Sequence, residues 1–442
     1  MQRRVCVIGA GPSGITALKN LKDKNLDVIC YDRNSEVGGN WIYSEDESHS
    51  SVFETTHIIS SKTLSQYEDF TFDDFDKSVA DYPSHDELRR YFQAYAKHFS
   101  LYPYIEFNTT IKHCKRMAKN EWQITIIQNE KEQTKFFTDL VVCNGHHSVP
   151  RMPEYPGNFN GEFIHSHNYK KAAPFANKKV LVIGGGNSAC DVAVETSRVS
   201  KRTSISWRRG YRIIPKFFFG LPSDIVGARS AWLPIKIRSW FNDRLLNIML
   251  GKNKLYGLQE VKTRFGQTHP TINDELLYKI RHGKVYPKVD IEKLEGNIVH
   301  FKDGTKEDVD VIIACTGYIL KHSFFDKEFI DYSEGAVPLY LKMFHPEYHD
   351  VFFVGMFQPL GCIWPGSELQ SKILADYLTG NWKMPENIKT LCEREVSHPH
   401  YKQIDTPRHT ITVDYHAFRK SLLKQLPKNW KSKKTNAISQ IA

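Results

Sequence analysis

Apolar runs that stop at glycines set the plan of this chain. Val5-Cys6-Val7-Ile8 has no polar interruption, as expected of a strand covered on both faces. Gly9-Ala10-Gly11-Pro12-Ser13-Gly14 follows, then Ile15–Leu21 with helical spacing, then a second strand over Asp27–Asp32. Ser84 and Glu87 form a capping box that opens a helix to about His98, with Leu88, Tyr91, Phe92 and Tyr95 on one face. Trp122–Ile127 alternates like a strand with one exposed face, and Asp139–Asn144 reads as a buried strand ended by Gly145. The strand–glycine–helix arrangement then recurs. Lys179–Ile183 is apolar, Gly184-Gly185-Gly186-Asn187-Ser188-Ala189 follows, and a helix runs through Val194 to a strand at Ser204–Trp207. From about Ile213 to Tyr256 no period holds, and Pro215, Pro222 and Pro234 break the segment. Val309–Ala314 is a buried strand before Thr316-Gly317-Tyr318, and Glu368–Leu378 a helix closed by Gly380.

Two glycine-rich βα units imply a doubly wound α/β protein with two nucleotide sites. In the first, Gly9 permits the tight turn, Gly11 lets backbone approach a pyrophosphate, and Gly14 lets the helix pack close to the strand. Asp32 ends the next strand, where an acid accepts hydrogen bonds from ribose hydroxyls. Arg33 and Gly38-Gly39 extend the pattern in the manner of flavoproteins. In the second unit, Gly184, Gly186 and Ala189 keep the fingerprint, with Asn187 and Ser188 at the helix start. The following strand ends in Trp207-Arg208-Arg209 and not in an acid. Arginine there suits a 2′-phosphate, which favours NADPH over NADH; the alternative is a solvated basic loop.

Composition narrows this only slightly. In 442 residues, 60 basic and 50 acidic side chains give +10, a spread-out charge without a nucleic-acid module. The basic stretch Lys424–Lys434 reads as a solvated tail. The eight cysteines contain no C-x-x-C and no zinc spacing, so no metal site and no redox disulfide is expected, and free thiols fit a reducing, cytoplasmic compartment. A strand so near the start leaves no room for a signal peptide, and the longest uncharged run, Val351–Ser367, is too short and too rich in glycine and proline to span a membrane.

Phe159-Asn-Gly161-Glu-Phe-Ile-His165-Ser-His-Asn-Tyr169 matches F-x-G-x-x-x-H-x-x-x-Y/F, and on it the chain resembles the flavin-containing monooxygenases. The resemblance continues through Asp32-Arg33 to Gly39-Asn40-Trp41, Asn144-Gly145-His146-His147, Asn273–Leu276, Asp303-Gly304-Thr305, Ala314–Tyr318, Gln358–Gly361 and Ser367–Gln370. It is with the soluble form, without the hydrophobic C-terminal anchor of the microsomal enzymes. It implies two Rossmann-like dinucleotide-binding domains in a two-dinucleotide-binding flavoprotein architecture. An FAD domain of residues 1–171 plus 281–442 would receive an inserted NADPH domain of 172–280, with the basic aromatic insertion at about 213–256. FAD would meet Gly9, Ala10, Gly11, Pro12, Ser13, Gly14, Asp32, Arg33, Gly39, Asn40, Trp41 and Gln358. NADPH would meet Gly184, Gly186, Asn187, Ser188, Ala189, Arg208 and Arg209.

The implied reaction inserts one oxygen atom of O2 into a small soft nucleophile, a sulfide or amine, through a C4a-hydroperoxyflavin. Phe159 and Tyr169 read as core or hinge residues, and the scheme needs neither His165 nor Tyr169 as an acid or base. One position departs from the family. Thr56–Lys62 places Ile59 where many members carry an asparagine beside the flavin, which leaves Ile59 and Ser60 as the flavin-proximal candidates. Isoleucine gives exclusion without a donor, so peroxide leakage is expected. Two alternatives follow, an NADPH oxidase-like flavoprotein and a nucleotide-binding redox sensor. The insertion covers the active site, touches anionic lipid or forms a homodimer interface; the sequence leaves the three open.

Overall fold

The computed structural model describes residues 2–46, 49–230, 232–264, 268, 271–333, 335–359, 361–397 and 410–427. Most of the basic tail expected at 424–434 lies outside them, as does Leu360. The chain forms two compact units. One comprises residues 1–43, 60–149 and 319–442, the other 44–59 and 150–318.

The first unit is built on a five-stranded parallel sheet in the order Val351–Phe353, Asp139–Val142, Arg4–Ile8, Asp27–Tyr31, Ile105–Glu106. Val5, Cys6 and Val7 are fully buried, as their unbroken apolar run requires. Helix Pro12–Lys22 makes the first crossover and packs against helix Trp364–Leu378. The latter begins four residues ahead of the expected Glu368, because Pro365 sits in its first turn, where no amide donor is needed. The Ser84–Glu87 capping box opens helix His85–His98. A meander of Thr109–Ala118, Glu121–Gln128 and Lys131–Phe137 lays Trp122, Ile124 and Ile126 onto Cys6, Ile8 and Val142 of the sheet. Asp350 pins this meander to the edge strand. Its buried carboxylate accepts two bonds from Arg116 Nε, at 2.9 and 3.1 Å, one from Nη2 at 2.8 Å and one from the Asn120 amide at 2.6 Å.

The second unit carries another five-stranded parallel sheet, ordered Glu162–His165, Val311–Ala314, Lys179–Ile183, Arg202–Ser206, Val285–Lys288, with helix Asn187–Thr196 as its first crossover. The first two strands of that order explain why the divisions fall at 149/150 and 318/319, and not at the expected 171/172 and 280/281. Glu162–His165 and Val311–Ala314 pair with each other, and Val311–Ala314 pairs with Lys179–Ile183, so both belong to this sheet. Gly157–Phe159 joins the small sheet of Ile291–Gly296, Ile298–Phe301 and Lys306–Asp308. The expected strand at Ser204–Trp207 is placed at Arg202–Ser206, and that at Val309–Ala314 starts at Val311, because the Val309 amide bonds Asn297 instead.

The aperiodic insertion is ordered by its punctuation. Pro222 opens helix Ser223–Arg229, Pro234 opens helix Ile235–Leu250, and Gly251, at φ +78°, ends it. That helix buries Leu246 with Ile214, Phe218 and Ile272, and leaves Trp240, Phe241 and Ile248 exposed. Both faces are partly apolar, which is why no period is visible.

Asp350→Ala should destabilise the first unit by about 3–5 kcal/mol, the cost of stranding a part-buried arginine. A chemical-denaturation midpoint unchanged from wild type would remove Asp350 from this role.

Candidate functional site

At the first glycine turn, backbone lies directly on backbone. A Cβ on Gly14 would sit 1.7 Å from the Gly9 carbonyl oxygen, and one on Gly9, itself at φ +99°, would sit 2.9 Å from Cys143 O. Gly11 is the N-cap of Pro12–Lys22, and no side chain caps that helix. A helix start without a side-chain cap, at the positive end of the helix dipole, suits an anion. A Cβ on Gly39 would lie 2.8 Å from the Gly11 Cα, so the paired-glycine turn Gly38-Gly39 packs on the first turn. Gly39, at φ +57°, is therefore bare for Gly11, whereas a Cβ on Gly11 would lie 3.4 Å from the Gly39 Cα.

Asp32 is buried, and its carboxylate holds the turn. Oδ2 accepts from the Ala10 amide at 2.5 Å and Oδ1 from the Asn34 amide at 2.7 Å. Burial raises its pKa, opposed by these two amides and by the charge of Arg33. The Asn34 side chain also bonds this carboxylate, and the lone-pair capacity left over suits a ribose hydroxyl. Arg33 is exposed, and Glu36 ties the same loop to helix His85–His98 through Arg89 at 2.9 Å and Gln93 at 2.5 Å. Asn40 and Trp41 lie on the 3-10 turn Gly39–Trp41, with the Trp41 ring edge-on to Trp364 at 5.8 Å.

Several partners of this region carry no short-range signal in the sequence. Ser13 Oγ lies 2.9 Å from Ser367 Oγ, and Tyr67 Oη donates to Pro12 O at 2.6 Å. Ser60, Ser65 and Cys362 close a buried ring of hydroxyl and thiol contacts, at 2.9 Å for Ser60–Cys362, 3.0 Å for Ser65–Ser60 and 2.8 Å for Cys362–Ser65. Gln358 is paired through its backbone with Thr412, and its Oε1 lies 2.9 Å from His146 Nε2. Burial lowers the pKa of His146 below the ordinary imidazole range, and the hydrogen on its Nε2 faces the Gln358 Oε1 acceptor; burial also pushes the pKa of nearby His322 down to about 4.

The second turn repeats the construction. Gly184 has φ +125°, and a Cβ there would sit 2.6 Å from Cys315 O. Gly186 is an N-cap without a side-chain cap, and Ala189 is fully buried behind it. Asn187 Oδ1 accepts from the Ile272 amide at 2.7 Å, so this side chain braces the turn. Ser188 is exposed on the first turn of that helix. Arg208 is exposed beyond the strand end and Arg209 half-buried, and among the described residues neither meets a carboxylate. Asp191, half-buried one turn along the helix, accepts from Asn273 at 2.8 Å, and desolvation pushes its pKa up to about 6.

The motif at 159–169 is structural. The Phe159 ring lies over Gly161, where a Cβ would come within 2.6 Å of it; Tyr169 stacks on Phe175 at 5.5 Å and is buried. His165 accepts from the His167 amide at 3.1 Å and packs on Tyr318, and its pKa falls to about 4 through burial and the nearby His167. Ile59, read as a flavin neighbour, packs in the apolar cluster of Ile214, Phe218, Leu246 and Ile272, while Ser60 belongs to the first unit. Adjacent in sequence, the two serve different cores. All eight cysteines are free, and among the described residues no cluster suits a metal ion.

Residues 2–429 match the family model of the flavin-binding monooxygenase-like proteins. Flavin-containing monooxygenase 5 of Rattus norvegicus is 33% identical over 94% of this chain and 81% of its own length. Dimethylaniline monooxygenase [N-oxide-forming] 2 of Oryctolagus cuniculus is 32% identical over 87% and 75%. Among solved structures, the S-allyl-L-cysteine S-oxygenase of Allium sativum superposes with a TM-score of 0.71 over 100% of this chain and 93% of that one, at 22% identity.

Gly14→Ala should cost the protein the nucleotide it carries through purification, because backbone must move to admit the methyl. Gly380→Ala, where nothing lies within 4 Å, is the control for general strain. Nucleotide released by heating reads both; equal content in Gly14→Ala and wild type would refute the steric argument. Ile59→Asn should destabilise the second unit by about 1–3 kcal/mol by burying an unpaired amide, and Ile59→Leu by less than about 1.5 kcal/mol. Equal thermal midpoints would detach Ile59 from that cluster.

Proposed function

The chain belongs to the flavin-binding monooxygenase-like family, and from that premise we propose that it uses FAD and NADPH to place one oxygen atom of O2 on a sulfide or an amine. The pairing of two uncapped helix starts carries this reading. One is followed by a buried acid, Asp32, and the other by Arg208 and Arg209, which among the described residues meet no carboxylate. The N-oxide named for the rabbit relative and the S-oxygenation named for the garlic structure support nitrogen and sulfur as targets.

When bound, the flavin would accept a hydride from NADPH and activate oxygen. The chain would bind and orient. Gly9, Gly11 and Gly14 give the FAD pyrophosphate bare backbone, Asp32 keeps lone pairs for its ribose, and His146 fixes the side-chain amide of Gln358. Gly184, Gly186 and Ala189 do the same for the second nucleotide, and Arg208 and Arg209 supply charge for a 2′-phosphate. His165 and Tyr169 hold core geometry, so the acceleration would come from positioning and from excluding water. The eight free thiols fit a reducing compartment such as the cytoplasm. Among the described residues no helix is long and apolar enough to cross a membrane.

A second reading, an oxidase that mainly releases peroxide, is favoured by the apolar cluster on which half-buried Ile59 packs. Product formed and peroxide released, per NADPH consumed, with a panel of sulfides and amines, decides between them. Product near one equivalent supports oxygenation. Peroxide near one equivalent with every substrate supports the oxidase.

NADPH should exceed NADH in kcat/KM by roughly tenfold or more, the value of one charged contact. Arg208→Ala and Arg209→Ala should each erode that ratio chiefly through KM. Equal kcat/KM for the two cofactors in the wild type would overturn the assignment.

A further inference from the structure

Tyr211 lies against a glycine that the dinucleotide fingerprint leaves unspecified. A Cβ on Gly185 would come within 2.1 Å of Tyr211 Cδ2, 2.4 Å of Cε2 and 2.7 Å of Cγ. The ring therefore covers the Gly185 backbone inside the turn Gly184–Gly186. Gly185 has no positive φ, so the ring, and not the backbone angle, excludes a side chain there. The same ring has the Arg209 guanidinium 5.4 Å from its centroid and the edge of Trp207 at 5.4 Å. Arg209 Nε is buried without a hydrogen-bond partner.

The ring's position is built from its other side too. Asn253 Nδ2 donates to the Tyr211 carbonyl at 3.0 Å and to Gln259 O at 2.8 Å. Gln259 Nε2 donates to Trp207 O. Gly210 passes so close that a Cβ would lie 2.2 Å from Glu260 O. The next residue, Arg212, is held by Asp243 at 2.6 Å. Four residues of the insertion and its return, Asp243, Asn253, Gln259 and Glu260, thus clamp the segment after the strand end.

We propose that Tyr211 is a positioning residue for nicotinamide-cofactor specificity: its ring couples the phosphate turn at Gly185 to Arg209, so that pyrophosphate and 2′-phosphate meet one rigid unit. This rests on the assignment of the second turn to NADPH. The ring supplies a cation–π platform that holds the guanidinium without consuming its hydrogen-bond donors. Among the described residues no carboxylate takes those donors, so the terminal nitrogens of half-buried Arg209 stay available to a phosphate, whereas a carboxylate partner would have neutralised the site.

Tyr211→Ala in the holoenzyme should lower the NADPH-to-NADH ratio of kcat/KM about two- to fivefold, the value of a partly exposed cation–π contact. The loss should lie in the KM for NADPH, with kcat and flavin content unchanged. Tyr211→Phe should restore the wild-type ratio, since the ring and not the hydroxyl is used. Gly185→Ala should raise the KM for NADPH in the wild type and be largely suppressed in the Tyr211→Ala background. If Arg209→Ala lowers the ratio while Tyr211→Ala leaves it unchanged, the positioning role is refuted and the NADPH assignment stands. If neither substitution alters the ratio, both fail. A Tyr211→Phe variant as impaired as Tyr211→Ala also overturns the role of the ring.

Discussion

Where each parallel sheet hands over to its first helix, there is no room for a side chain. Gly14 meets the Gly9 carbonyl, Gly39 meets Gly11, and Gly184 meets the Cys315 carbonyl. This closeness brings the start of a helix to the carboxyl end of the sheet with its amides uncapped, the place where open α/β sheets bind ligands. Everything else proposed for the sites is placed relative to it. Asp32 reaches the Ala10 amide only because the turn is this tight. The paired glycines at 38 and 39 matter because they allow one loop to lie on another.

Behind the first turn, the protein holds charge in its interior. Glu368 is fully buried on helix Trp364–Leu378, accepts from the Glu68 amide at 2.7 Å and pairs with Lys372. Glu68 pairs with Arg419 at 2.7 Å, and Lys19 bridges Asp69 at 2.8 Å and Asp23 at 3.2 Å. Such pairs add little net stability, since desolvation offsets most of the attraction, but a mispaired arrangement costs several kcal/mol. Their effect is to fix register. They lock helix Tyr415–Leu423 and the Glu68 segment to the helix that also carries Ser367, the partner of Ser13. The residues that shape the first site are thus held by chain 300 or more positions away.

What could be read from the sequence was local. Both glycine fingerprints, the Ser84 cap and the unbroken strands rest on interactions within a few residues, and composition reports those directly. The Arg116–Asp350 clamp, the Ser13–Ser367 contact and the Tyr211–Gly185 contact join residues that only the fold makes neighbours. The unit boundaries were misplaced for the same reason. Glu162–His165 counts with the FAD domain of residues 1–171 until Val311–Ala314 is seen to pair with it. The short alignment that singled out Ile59 could not reveal that Ile59 and Ser60 belong to separate cores.

The histidines show why the candidate chemistry resides in placement. His165 and His322 are pushed down to about 4 and His146 is also lowered, in each case first by burial. A histidine kept neutral this way binds its proton less readily folded than unfolded. Its cost to stability is absent above the ordinary imidazole value of about 6.5 and grows as pH falls towards about 4. Near neutral pH all three are fixed hydrogen-bonding or packing groups that carry no charge and relay no proton. A reaction whose bond-making belongs to bound cofactors makes few demands on side-chain acids and bases, and many on the orientation of the two nucleotides.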